Sequence, residues 1–277
     1  MTITTDATTT TTATSADFAR EWQHWHDGIE AQRRTPHSFL AYTSFNLLSE
    51  EPQRFDDVPG TWTTGPEGVV VQLDAGQVLD VDGVAIRGVH QWGVIDERTF
   101  HRARFEDAVI EVSKRGGRDI VRPLHPEHAL RTDYAGTPTF APDERWVIEG
   151  VFEPEPLRDI DIAAAIPSIA HVHATPGRVR FSVDGVESAV TLIGQGPDAA
   201  VLLFRDATSG VTTYGASRTL AVTLPSGGDR RVVLDFNRAR NLQCAYTDYS
   251  PCPLAPAENW LPFAVEAGEK TPLARTS

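Results

Sequence analysis

The residues able to do chemistry gather in one stretch, Leu234 to Lys270, and in one closely spaced pair, His171 and His173. Asp235-Phe-Asn237 ends the last clear strand and runs into Arg238, Arg240 and Asn241. A carboxylate fixed at a sheet end can serve as a general base or ion-pair partner, and an Asn amide can donate to and accept from a ligand. The same side chains also satisfy the backbone of irregular chain, so a structural role stands beside the functional one. Cys244 and Cys252 are separated by seven residues. Zinc motifs commonly use about two to four and need two further ligands. A disulfide across this turn is sterically feasible but disfavoured in a reducing compartment. A catalytic thiol needs a depressed pKa and a nearby base, so Cys244 stands as a candidate nucleophile against a packing role for at least one thiol. Gly268-Glu269-Lys270 lacks the first glycine of a phosphate loop and carries Glu269 between Gly and Lys, which excludes that loop and leaves Glu269 as a candidate acid/base.

His171 and His173 lie two apart in a predicted strand, on one face, where both imidazoles can converge on a metal ion. No third ligand has diagnostic spacing, and the favoured reading is two polar residues on the solvent face. No metal is therefore expected, and no cofactor is named by any motif.

These groups must be positioned by a mostly β chain. Phe18, Trp22, Trp25 and Ile29 mark one apolar face of an N-terminal helix, with Thr14 and Asp17 resembling a capping box. Helical turns are also expected within Ser38–Leu48. After that come short β-branched or aromatic runs bounded by Gly, Pro or Asp: Val69–Leu73, Gln77–Ile86, Ala108–Lys114, Arg118–Arg122, Arg145–Phe152, Ile169–His173, Arg178–Val183, Ala189–Ile193, Ala200–Arg205, Thr212–Ala216, Thr219–Leu224 and Arg231–Phe236. Many short strands without helices between them predict an antiparallel sandwich or barrel-like body, followed by an irregular C-terminal wrap. Glu153–Asp161 reads as a polar surface run. The expected division is a disordered tail over 1–13, a helix and first β subdomain over 14–135, and a second β subdomain over 136–277, with one continuous domain as the alternative.

A two-residue loop at Gly116-Gly117 sets a register of Arg115 with Arg118, Lys114 with Asp119 and Glu111 with Arg122. The basic residues there offer an anion site, weighed against a solvated hairpin with cross-strand ion pairs. The net charge of -13 argues against nucleic-acid and anionic-membrane partners, which need a basic surface. No run approaches the ~20 apolar residues of a membrane span. The Thr-rich start lacks a signal-peptide core, so the expected location is cytoplasmic.

The run DFNRARNLQCAYTDYSPCPLAPAENWLPFAVEAGEK, preceded by FRDATSGVTTYGASRTL, resembles a widespread bacterial and archaeal family known as a domain of unknown function. The family pattern runs D-x-T-x-G-x-x-T-Y-x-x-x-R, D-F-N-x-A-x-N-P-P-C-A-Y, C-P-L-P-P-x-E-N and A-G-E-K. This chain matches it at Asp206, Tyr214, Arg218, Asp235, Asn237, Asn241, Cys244, Tyr246, Cys252, Asn259 and Glu269, among others. The KRGGR hairpin and Tyr134-Ala-Gly136 also look like the family. Leu242-Gln243 replaces Pro-Pro, and Ala255 replaces a further Pro. The resemblance covers most of residues 20–270 and implies a shared fold and polar site, with no activity attached.

Three functions follow as expectations. The first is a small-molecule site, suited to an anion, lined by Tyr214, Arg218, Asp235, Asn237, Tyr246 and Asn259. The second is an enzyme, hydrolase-type or an acid/base catalyst, using Asp235, Glu269 or Cys244 at that place. The third is a buried polar network that locks the C-terminal wrap without a ligand.

Overall fold

In the computed structural model, residues 15–276 are described, so the expected tail over 1–13 and the capping position Thr14 lie outside the described residues. The apolar stripe forms α1 (Ser15–Arg33). Trp22 is its buried anchor, and the indole Nε1 donates to Asn237 O at 2.8 Å. Glu30 and Arg33, at the helix end, are buried as well.

The next apolar cluster makes only a 3-10 turn, Phe39–Ala41, capped by Ser38 Oγ, before the chain becomes β. The strands that follow are β1 (Asn46–Leu47), β2 (Gln53–Phe55), β3 (Val58–Gly65), β4 (Gly68–Gln72), β5 (Leu79–Val81), β6 (Val84–Ile86), β7 (Val89–Gly93), β8 (Phe100–Phe105), β9 (Ala108–Arg115) and β10 (Arg118–Leu124). They build a six-stranded sheet in the order β1-β10-β9-β8-β5-β6 and a four-stranded sheet in the order β2-β3-β4-β7. The two sheets share a core that includes Trp62, Val71, Leu79, Ile110, Val112 and Val121.

After a short helix α2 (Ala129–Thr132) come β11 (Val147–Ala163), β12 (Ala170–Val183), β13 (Val186–Thr191), β14 (Ile193–Gly194), β15 (Ala199–Phe204), β16 (Arg218–Thr223), β17 (Arg231–Asp235) and β18 (Arg240–Asn241). They form two four-stranded sheets, β13-β12-β11-β17 and β14-β15-β16-β18. A second core lies between them, with Val179, Phe181, Leu202, Phe204, Leu234 and Phe236. The whole is mainly β with antiparallel pairing, one N-terminal helix and no closed barrel, and a sandwich-like body fits it. Among the described residues no helix is long and apolar enough to cross a membrane.

Several expectations change. Glu153–Asp161, a largely exposed surface run as expected, is also strand: it continues β11, with an irregularity between Pro154 and Arg158 where prolines cannot donate to the ladder. Ile169–His173 and Arg178–Val183 are two ends of one strand, β12. Thr212–Ala216 is not a strand. There Thr208 Oγ1 donates to the Asp206 carboxylate at 2.9 Å and Thr212 N to Thr208 O at 3.0 Å, so side-chain and turn bonds displace a ladder.

The Gly116-Gly117 hairpin has the predicted register, Arg115 with Arg118, Lys114 with Asp119 and Glu111 with Arg122. It is not a free anion nest. The Glu97 carboxylate accepts from the amides of Gly116 at 2.8 Å and Gly117 at 2.9 Å. Gly116 has φ +57°, and a Cβ there would fall 2.4 Å from Ala170 O on β12, so only glycine fits.

Candidate functional site

The wrap after β17 is held by polar side chains that bond almost entirely to the chain itself. Glu269 is 2% exposed. Its Oε1 lies 2.7 Å from Arg33 Nη1, and its Oε2 accepts from Asn241 N at 2.7 Å and Arg33 Nη2 at 3.1 Å. Tyr246 OH donates to the same Oε2 at 3.4 Å and meets Thr137 Oγ1 at 2.7 Å. Burial first and the Glu269 charge second push the Tyr246 phenol well up, so it stays protonated. Of the predicted residues, Tyr246 and Glu269 are therefore brought together. Arg33 and Thr137, which complete this group, gave no local signal in the sequence.

Arg218 lies next to this group, with its Nη1 donating to Glu269 O at 3.4 Å. Its guanidinium, 1% exposed, donates to Asp206 Oδ2 at 3.3 Å, Val265 O at 3.0 Å and Ala267 O at 2.5 Å. Asp206 Oδ2 also accepts from Val265 N at 2.6 Å. Asn259 bridges two strands: Nδ2 donates to Thr191 O and Leu203 O, each at 2.8 Å, and Oδ1 accepts from Thr191 N at 2.7 Å. Asn237 Oδ1 accepts from Asp143 N at 2.8 Å, while Nδ2 donates to Asp143 O and Asp235 Oδ1. Asp235 pairs with Arg238 at 3.1 Å on the edge of an outer groove beside α1. Tyr214 packs on a small cluster with Leu40, Leu130 and Tyr246.

Both cysteines are reduced and buried, and Cys244 N donates to Cys252 Sγ at 3.3 Å. The hydrogen bond shared by the thiols, and then burial, push the Cys244 thiol up, while that same bond draws Cys252 below the ordinary thiol range. Cys252 is thus the better thiolate, and Cys244 the poorer.

His171 and His173 are 4% and 7% exposed, on the inward face of β12, which corrects the solvent-face reading. The alternation that points Val179 and Phe181 inward points both rings the same way. His171 Nε2 donates to Pro251 O at 2.5 Å, and His173 Nδ1 meets Arg98 Nη1 at 3.0 Å. Burial, then the Arg98 charge, pushes His173 down to about 4, so the ring is neutral and Arg98 donates to it. Among the described residues no group of three or more His, Cys, Asp or Glu side chains comes together as a metal ligand set.

Arg240, on β18, points to another place. A cavity of about 370 Å³ opens between α1, the first sheet and the start of the wrap. Arg33, Tyr42, Arg102, Thr219, Arg240 and Gln243 line it. The β8–β9–β10 register aligns Arg102 and Arg122 with Glu111, and strand alternation puts Arg115 on the same face. Glu111 is gripped by Arg122 at 2.5 Å, Arg102 at 2.9 Å and Tyr42 OH at 3.0 Å. Burial alone would raise this carboxyl, but Arg122 and Arg102 hold it below the usual range. Three arginines, Arg33, Arg102 and Arg240, line the cavity, and among the described residues its lining includes no Asp or Glu. Arg240 is half-buried on β18, opposite Thr219, and among the described residues no carboxylate lies within ion-pair distance of it. Asp235, Glu269 and Cys244 do not line this cavity.

The solution NMR structure of an uncharacterized protein from gene locus rrnAC0354 of Haloarcula marismortui is similar to the chain, at 29% identity. The match covers 53% of this chain and 82% of that one, with a TM-score of 0.44. No curated protein matches. A family model described as a protein of unknown function (DUF1684) matches residues 132–270, which hold the second core, the wrap and the Arg240 side of the cavity. By that match over half of its length, the chain belongs to the DUF1684 family of proteins of unknown function.

Proposed function

We propose that the protein binds a small anionic molecule in the cavity between α1, the first sheet and the wrap. The observation that carries this reading is Arg240, a half-buried guanidinium on the cavity wall with no carboxylate at ion-pair distance among the described residues. Burial works against its charge, Glu269 offsets this only from beyond ion-pair distance and Arg33 adds repulsion, so an incoming carboxylate or phosphate group lowers that cost with charge-assisted hydrogen bonds. Arg102 stands beside it, half-exposed and sharing Glu111 with Arg122. In this reading Glu269, Arg33 and Tyr246 fix the wall. Arg218, Asp235, Asn237, Asn259 and Tyr214 act as positioning residues rather than ligand contacts. Binding is favoured over catalysis because the candidate bases and nucleophile do not open on the cavity.

Calorimetric titration with inorganic phosphate and, separately, with succinate tests the proposal and tells a phosphate site from a carboxylate site. One of the two should bind the wild type, and Arg240→Ala should weaken it by about tenfold or more, the scale of one buried charge-assisted contact. Equal binding by wild type and variant, or none by the wild type, would overturn it.

A further inference from the structure

We propose that Cys244 and Cys252 form a reversible disulfide that sets the stiffness of the cavity wall. The two sulfurs belong to one loop with seven residues between them, and the Cys244 amide already donates to Cys252 Sγ at 3.3 Å. A thiolate at Cys252 is favoured by its hydrogen bond with the Cys244 thiol, by the amides of Cys244 and Gln243, and by the nearby Arg122 guanidinium. The Cys244 thiol hydrogen-bonds this sulfur, which places it beside Cys252 as the resolving partner.

The loop they close is held at both ends of the molecule. Arg122 Nη1, from the first sheet, donates to Tyr249 O at 3.1 Å, and His171 Nε2, from β12, donates to Pro251 O. Gln243, immediately before Cys244, lines the cavity, and its Oε1 accepts from Ser250 Oγ, within the loop, at 3.0 Å. A covalent tie between Cys244 and Cys252 therefore freezes the segment that carries Gln243. The coupling to ligand affinity rests on the anion-site reading above; the disulfide itself does not.

The chemistry takes a hydroperoxide as oxidant. Cys252 sulfur attacks one oxygen of hydrogen peroxide, the O–O bond breaks, and the released hydroxide takes a proton and leaves as water. Cys252 is then a sulfenic acid. Cys244 sulfur attacks the sulfenic sulfur, the S–S bond forms, the S–O bond breaks, and the thiol proton of Cys244 leaves with the hydroxyl as a second water. Two thiols lose two electrons in all, and the peroxide gains them.

The test uses the full chain, reduced, desalted and exposed to a few equivalents of hydrogen peroxide. Intact mass without reductant should fall by about 2 Da, the two hydrogens lost, and return on adding dithiothreitol. Peptide mapping should place the link at Cys244–Cys252. Cys244→Ser should leave a Cys252 sulfenic acid that dimedone traps, while Cys252→Ser should take up no dimedone. An unchanged mass, or oxidation to sulfinic acid without a link, would overturn the disulfide, and the wild type alone decides this if a variant does not fold. Phosphate and succinate titrations of both redox forms should differ in affinity by several-fold. A link that leaves affinity unchanged overturns the coupling, whereas a link formed in a protein that binds neither anion strikes only the anion-site reading.

Discussion

Asn259 shows how much of the motif is spent on holding strands. Its amide makes three hydrogen bonds to β13 and β15, and all of its partners are backbone groups with no access to water. Asn259→Ala removes all three and should cost about 3 kcal/mol, since each backbone group left unsatisfied costs about 1–3 kcal/mol less whatever relaxation recovers. Urea unfolding at neutral pH measures this, and a loss under about 1 kcal/mol would contradict the clamp. Asn259→Asp keeps one acceptor, loses both donors and should fare no better. At this scale the sequence identifies the unusual residues but not what they face. Asp235, Asn237, Arg218, Tyr246 and Glu269 stand out because polar types crowd an aperiodic stretch. Their partners are distant in the chain: Arg33 meets Glu269 across 236 positions, and Asp143 meets Asn237 across 94. No local pattern encodes such pairings.

Strands differ in how openly they announce themselves. The Gly116-Gly117 hairpin is readable because a two-residue loop leaves one register for everything before and after it. β3 and β8 escape notice, since Pro59, Gly60 and Gly65 interrupt one and Arg102, Arg104 and His101 break the apolar run of the other. β12 is readable as a strand, but which face turns inward is set by the sheet against it, which the sequence of the strand does not encode. The inward position of its histidines has a pH consequence. Folding holds His173 neutral with a pKa near 4, against about 6.5 in the unfolded chain, so the unfolded state binds the extra proton between those values. The His173 contribution to stability is complete above about pH 6.5 and is lost as pH falls toward 4. His173→Gln retains an acceptor for Arg98 and should flatten the stability profile over that window, measured as melting temperature against pH. A variant profile parallel to the wild type would contradict this origin.

The whole molecule has two cores joined by polar contacts, Arg98 to His173 and Arg122 to Tyr249 O, and by Tyr249 packing on Tyr42, Val109 and Leu124. The sequence conveys a β body but not the seam, because the seam is made by side chains whose neighbours along the chain look unremarkable for a strand. Those contacts should make the two cores melt together. Calorimetry should give one transition for the wild type and two for Arg98→Ala combined with Arg122→Met, where both first-sheet donors are gone; one transition in both would show that other contacts suffice. In a chain of net charge -13, the fold brings Arg33, Arg102 and Arg240 from separate elements to one concave spot, which is what the proposed anion site rests on.

Gly116 bears on how this chain can be altered. Its backbone abuts the carbonyl of Ala170 with no room for a methyl group, and Glu97 occupies the amides beside it. The hairpin tip thus works as a length gauge between two separately built bodies. Exposed tips usually absorb insertions at little cost, but here one added residue would push β12 away, so tags, permuted termini and inserted domains belong on other turns.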